Sequence, residues 1–313
     1  MKLSVVFRAG WLGWEGLERS LSGCTRAFGE ECDAVEIHVA NDCKVMVDAG
    51  IRLLSYVNQL ADSGRAVALN FSSTRSNAYT YLNRLGFFDH LNPGIDVIPQ
   101  RPSISGAKKY GGSSVALVEI APIKYQPGGA IDRSLPGRLA DSVAHWAEHQ
   151  QAGAGDRIHT TIFTAFAELV DNIYQHSETR LDGFAALQTY AQSNSVMVAV
   201  SDSGRGVLNT LRPALMSEFP TLVRLSDTDL MVELFRQGLS RHGRGRGAGL
   251  KRSADCAIRL HAELNVRLER SMVHLLPSQD GYRPHRAQCL EGRPSLPGTH
   301  IGFMFRLDEW PRI

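Results

Sequence analysis

The 313-residue chain lacks any apolar run approaching the length of about eighteen residues that a membrane-crossing helix requires. Its opening segment, Met1 to Trp11, lacks the charged-then-apolar layout of a secretory signal, so a cytoplasmic protein is expected. Cysteine is scarce. Cys24, Cys32, Cys43, Cys256 and Cys289 are odd in number, scattered and nowhere spaced as Cys-x-x-Cys, which argues against a disulfide framework and against a zinc cluster. Charge imbalance is also missing: a formal net charge of +2 provides no basic footprint, so neither a nucleic-acid nor a membrane partner is expected. No repeat or low-complexity tail is visible. What the chain does have is 43% hydrophobic residues and a length above the commonest single-domain size, which together suit two domains with sizeable cores.

The first third alternates apolar runs with helical patterns. Strands are expected at Leu3–Phe7, Val35–Val39 and Ala66–Asn70, and helices from about Glu15 to Phe28, Ala49 to Ser63 and Ala78 to Leu85. Such alternation implies an α/β unit with helices covering a sheet. A Pro/Gly/Ser-rich stretch, Pro99 to Ser114, precedes one more strand, Val115–Ile123, and the Gly128-Gly129 pair is a second break. The domain boundary is therefore expected near Ile123, giving units of residues 1–123 and 124–313. The second unit opens with a helix from about Leu135 to Glu148 and a longer one capped by Asp156.

On that longer helix Glu168, Asn172 and His176 fall at i, i+4 and i+8, drifting only about 80° around the axis. Thr161 and Ala165 share their stripe, and Ile162, Phe163, Phe166, Leu169, Val170, Ile173 and Tyr174 form a broad apolar face opposite. The stripe reads either as a solvated helix face or as a set of oxygen and nitrogen ligands flanked by short side chains. Downstream, an apolar strand, Val196–Ser201, runs into Asp202, Gly204 and Gly206. About forty residues later GRGRGAGL, Gly243 to Leu250, opens a helix reaching Leu260. Its glycines follow no strand, do not space as G-x-G-x-x-G and are not followed by Gly-Lys-Ser/Thr, which excludes the Rossmann and Walker A readings.

In this order the motifs resemble the GHKL family of gyrase, chaperone, histidine-kinase and mismatch-repair ATPases. Glu168-x-x-x-Asn172-x-x-x-His176 resembles its N box, Asp202-x-Gly204-x-Gly206 its first glycine box and Gly245-x-Gly247-x-Gly249-Leu250 its second. Gly298-Thr299, entering a C-terminal strand, is similar to the family's late threonine. The resemblance covers roughly Leu135 to Leu307 and implies an α+β two-layer sandwich that binds ATP with Mg²⁺. By resemblance, Asn172 would hold the metal, Asp202 would accept from the adenine amino group with Gly204 and Gly206 leaving space for the base, and Thr299 would support Asp202. Glu168 would orient or deprotonate the nucleophile. His176 is either a further nucleotide contact or a cation at a helix C-terminus. Backbone amides of Gly245, Gly247, Ala248, Gly249 and Leu250 would face phosphate at a helix N-terminus, with Arg241, His242, Arg244 and Arg246 adding cations.

The segment from Val207 to Gly243 occupies the place of the family's ATP lid, with a capping box at Ser226 and Asp229 and a helix through Phe235. Its ending, Gln237 to Arg241, resembles lids of anti-sigma-factor kinases. HWAEH, His145 to His149, matches the H-x-x-E-H pattern of inverted zinc peptidases, but no further carboxylate ligand or peptide cleft accompanies it. The N-terminal unit resembles the STAS fold of anti-sigma-factor antagonists, with Asp48-Ala49-Gly50 where that family carries its phosphorylatable serine. The chain is thus expected to hydrolyse ATP or to transfer its phosphoryl group to a protein partner recognised by the N-terminal unit, and a homodimer is compatible with this. The alternative is a non-catalytic switch driven by nucleotide binding.

Overall fold

Every residue from Val47 to Leu60 is buried. A helix reaches that state only when it is covered all round, and here two sheets cover it. The computed structural model describes residues 1–125, 134–150, 153–239, 248–279 and 281–306. The N-terminal unit runs β1 (Lys2–Phe7), β2 (Gly10–Leu12), α1 (Trp14–Leu21), β3 (Ala34–Val39), β4 (Cys43–Val45), α2 (Val47–Asp62), β5 (Ala66–Phe71), α3 (Asn77–Leu85), β6 (Asp96–Ile98) and α4 (Gly106–Tyr110). Its sheet, ordered β1-β3-β5-β6, is parallel throughout, and β2 and β4 form a short parallel pair beside it.

The remainder runs β7 (Leu117–Ile123), α5 (Ser134–Gln150), α6 (Ala154–His176), β8 (Gly183–Tyr190), β9 (Ser195–Ser201), α7 (Val207–Leu215), α8 (Pro220–Val223), α9 (Asp227–Gln237), α10 (Ala248–Arg259), β10 (Glu263–Arg267), β11 (Met272–Ser278), β12 (Gly281–Pro284) and β13 (His300–Arg306). Seven of these strands form an antiparallel sheet in the order β12-β11-β10-β13-β9-β8-β7. The protein is a mixed α/β structure, and among the described residues no helix is long and apolar enough to cross a membrane.

Side chains alternate across this sheet with period two. Val196, Val198 and Val200 of β9 join one core with α5, α6, α9 and α10, whereas Met197 and Ala199 join a second core with α2 and the N-terminal sheet. Both faces are buried, which explains why the strand reads as a continuous apolar run. The small residues Ala186 and Ala199 stand on the face toward α2 and let the helix approach closely.

The boundary expected near Ile123 falls one strand late. Leu117–Ile123 pairs antiparallel with β8 and forms an edge of the seven-stranded sheet, so it belongs with the second unit. A strand's sheet membership follows from its pairing partner, which an apolar run does not reveal. The first helix stops at Leu21, short of Phe28, because Ser22 and Cys24 turn back onto Arg19 and Leu21 through their amides. At the start of α6 the cap is Gly153, with φ of 75°, while Asp156 lies in the first turn. In the expected lid, the Ser226 hydroxyl accepts from the Asp229 amide at 3.1 Å and caps α9 as read from the sequence. Leu230, Met231, Leu234 and Phe235 then dock that helix onto the main core.

Candidate functional site

Asp202 follows β9 directly, and its carboxylate is held by two backbone amides. Gly204 N donates to Oδ1 at 2.8 Å and Thr299 N donates to Oδ2 at 2.9 Å. The Thr299 hydroxyl accepts from Val207 N at 2.8 Å, tying the first turn of α7 to the same centre. Burial pushes the Asp202 carboxyl up to about 6, and the bonds from Gly204 and Thr299 only partly offset it. Each carboxylate oxygen can accept a second bond, so both retain capacity for a ligand donor.

The glycines of this loop make room for the chain itself. A Cβ on Gly204 would lie 2.0 Å from the Ser177 carbonyl oxygen, just beyond α6, and one on Gly206 would lie 3.0 Å from the Gly298 carbonyl oxygen. Gly206 also has φ of 79°. The expectation that these positions open space for a base is therefore corrected: the space is filled by backbone, and the glycines draw α6, the β9 loop and the β13 loop together. Gly298 does the same from the other side, with φ of 100° and a Cβ position 2.0 Å from the Asp202 carbonyl oxygen. Arg205 reinforces the junction by pairing with Glu178 at 3.3 Å.

Because Gly204 abuts Ser177, the C-terminal end of α6 stands beside Asp202. Asn172 lies five residues before Ser177, about 8 Å along the helix. It is half-buried, and its Nδ2 has no hydrogen-bond partner among the described residues. A buried amide in that state suits a polar ligand, with Oδ1 available to a cation and Nδ2 to a phosphate or water oxygen. Glu168 is half-buried one turn earlier. Ala165, on the same stripe, is buried, and its carbonyl accepts from the Ser253 hydroxyl of α10 at 2.9 Å. The stripe is therefore covered by α10 rather than solvated. Ala248, Gly249 and Leu250 form the first turn of α10, about two turns from that contact. His176 is the last residue of α6. Arg241, His242, Arg244, Gly245, Arg246 and Gly247 lie outside the described residues.

The sequence gave no signal for the residues that hold this site from behind. Ser201 and Ser203, on either side of Asp202, point the opposite way, toward α2. Ser55 Oγ lies 2.7 Å from Ser201 Oγ, and Gln59 Nε2 donates to both Ser203 Oγ and the Pro297 carbonyl, each at 2.9 Å. Ser201 also bonds His300 Nδ1, while His300 Nε2 lies 3.1 Å from the Pro297 carbonyl. Burial, with Arg52 and Arg267 nearby, drives His300 well below its usual value and keeps it neutral. Its tautomer follows: Nε2–H donates to Pro297, and Nδ1 accepts from Ser201. Helix α2 thereby grips both loops, the one carrying Asp202 and the one carrying Thr299. The only sequence hint was Pro297-Gly298, a turn dipeptide directly before Thr299.

The H-x-x-E-H segment has a structural use. Both Glu148 oxygens accept backbone amides, from Gly153 at 2.7 Å and Gly155 at 3.0 Å, at the start of α6. Among the described residues no three His, Cys, Asp or Glu side chains gather as a metal cluster, and a Mg²⁺ site needs fewer protein ligands than that. No family model matches the chain, and no curated protein matches it significantly.

Proposed function

We propose that this is an Mg-ATP-binding regulatory protein of the GHKL type, which hydrolyses ATP or transfers its γ-phosphoryl group to a partner protein. The carrying observation is the meeting, at one end of the antiparallel sheet, of the doubly amide-bonded Asp202 with the end of α6 that bears Asn172. In this reading Asp202 accepts from an exocyclic amine and discriminates adenine from guanine, which carries an oxygen at the equivalent position. Thr299 and Gly204 orient the carboxylate. Asn172 would hold the metal, which when bound supplies charge neutralisation at the phosphates. The amides opening α10 suit phosphate at the positive end of a helix dipole.

Glu168, one turn from Asn172, is placed to hold or accept a proton from the attacking group, which is water in hydrolysis or a side-chain hydroxyl or imidazole in transfer. The N-terminal unit, with its parallel sheet and alternating helices, supports the STAS-like reading and a role in partner recognition. In it Asp48 is buried and accepts from the Trp14 amide at 3.2 Å, a position with no hydroxyl to phosphorylate. The grip of α2 on the Asp202 and Thr299 loops favours, as a second reading, a switch in which nucleotide binding alters the N-terminal unit without turnover.

Purified protein incubated with γ-labelled ATP, with released phosphate and labelled protein read side by side, tests the proposal. Glu168→Ala is expected to keep ATP affinity within a few-fold and to slow turnover by roughly 10² to 10⁴. Asn172→Ala is expected to weaken Mg-dependent binding and turnover together. Wild-type turnover at the no-enzyme background, with ATP bound, would leave the switch; no ATP binding at all would end both readings.

A further inference from the structure

The N-terminal sheet presents an unpaired edge. Strand β1 pairs with β3 on one side only, and Phe7 O accepts from Ala40 N on that side. Backbone groups alternate along a strand, so Leu3, Val5 and Phe7 bond toward β3 while the N–H and C=O groups of Lys2, Ser4 and Val6 face outward. Beside this edge lies a cavity of about 490 Å³, lined by Val6, Arg8, Trp11, Leu12, Arg19 and neighbouring small residues of β1 and α1.

Its composition is unusual for an edge. Val6 is 56% exposed and Trp11 63%, a pair of large apolar groups in solvent. Arg8 and Arg19 form no ion pair among the described residues, and no carboxylate lines the cavity. Lys44 stands 5.3 Å above the Trp11 ring and adds a third cation. The nearest acidic helix residue, Glu15, is engaged elsewhere, accepting from Gln288 Nε2 at 2.6 Å.

We propose that this edge is a docking site for an extended acidic segment of a partner protein, added as an outer strand beside β1. The outward amides and carbonyls match a peptide backbone, which offers both donors and acceptors, whereas a nucleic-acid backbone offers acceptors alone. Alternate apolar side chains of the segment enter the cavity over Val6, Trp11 and Leu12. Its carboxylates pair with Arg8 and Arg19. The site rests on the N-terminal unit and stands independently of the nucleotide reading.

The test uses the full chain without nucleotide, read by fluorescence anisotropy with a labelled octapeptide alternating glutamate and valine around a central phenylalanine. Its lysine counterpart and a twelve-residue oligothymidylate serve as comparisons. The acidic peptide is expected to bind at least about tenfold more tightly than the lysine peptide. Arg8→Glu with Arg19→Glu is expected to remove that advantage. Val6→Pro deletes an outward donor that β3 does not use, at a position where an edge strand accepts proline, and is expected to weaken the peptide at unchanged thermal stability. The proposal is overturned if the acidic peptide shows no advantage, if both variants bind it as the wild type does, if oligothymidylate binds more tightly, or if sedimentation shows the edge paired between two copies.

Discussion

The amide of Thr299 and the carboxylate of Asp202 lie 2.9 Å apart although 97 residues separate them in sequence, and they join the ends of two neighbouring strands. Asparagine at 202 would keep the shape and lose this arrangement. With two amide donors facing the two Asp202 oxygens, one of them would meet an Nδ2–H₂ instead of an acceptor. Asp202→Asn should weaken ATP binding by about 1.5–3 kcal/mol, the range for a hydrogen bond to a charged group. GTP should bind the wild type more weakly than ATP and respond less to the substitution. Calorimetric titration decides: equal wild-type affinity for the two nucleotides removes Asp202 from base recognition.

Gly204→Ala and Gly298→Ala should destabilise the fold itself. At either position a methyl would sit 2.0 Å from a backbone carbonyl oxygen, Ser177 in one case and Asp202 in the other, so a loop must move. Overpacking of this kind costs about 1–3 kcal/mol, and at Gly298 the positive φ adds strain. Gly23, whose Cβ would meet nothing within 4 Å, is the matched control, and Gly23→Ala should be close to neutral. Urea unfolding midpoints that do not separate Gly204→Ala from Gly23→Ala would contradict the close approach.

Local signals carried much of this into the sequence. The strand ending at Ser201, the cap at Ser226 and the apolar face of α6 rest on periodicity and turn chemistry, both of which act within a few residues. The Glu168–Asn172 stripe was visible, but whether it faced solvent depended on Ser253 of α10, 88 residues away. The same limit hid the membership of β7, which its partner β8 determines, and the purpose of Gly204, which Ser177 determines. Least legible was α2. Its Ser55 and Gln59 look like ordinary polar helix positions, and only the docking of two sheets on opposite sides turns them into supports for Asp202 and Thr299.

The contact between the two units also contains a buried ion cluster. Arg267 Nε donates to Glu18 Oε1 at 2.8 Å with both side chains 1% exposed, and Arg293 reaches Glu18 Oε2 at 3.3 Å. Removing one partner strands a buried charge, so Glu18→Ala should cost about 3–5 kcal/mol. Glu18→Leu combined with Arg267→Met removes both buried charges and should recover a large part of that loss. Denaturant unfolding of the singles and the double checks this: a double variant as unstable as the sum of its singles would show that the pair is not coupled.

The raised Asp202 carboxyl gives opposite pH trends to stability and to binding. Its folded value is about 6, against an ordinary carboxyl near 3.9 in the unfolded chain. The native state therefore binds more protons in the window between them, and the contribution of this residue to stability is fully present below about pH 4 and lost as pH rises through about 6. Adenine recognition runs the other way. Both oxygens already face amide donors, so an added proton either breaks one of those bonds or points at the adenine amino group as a second donor. The preference for ATP over GTP should therefore be full near pH 8 and fall about tenfold by about pH 5, one unit below the Asp202 midpoint. Taking the ratio of the two nucleotides cancels the titration of their common phosphates. A ratio of dissociation constants that stays flat from pH 8 to pH 5 would falsify the assignment of Asp202 as the base-reading group, whatever the protein's absolute affinity for ATP.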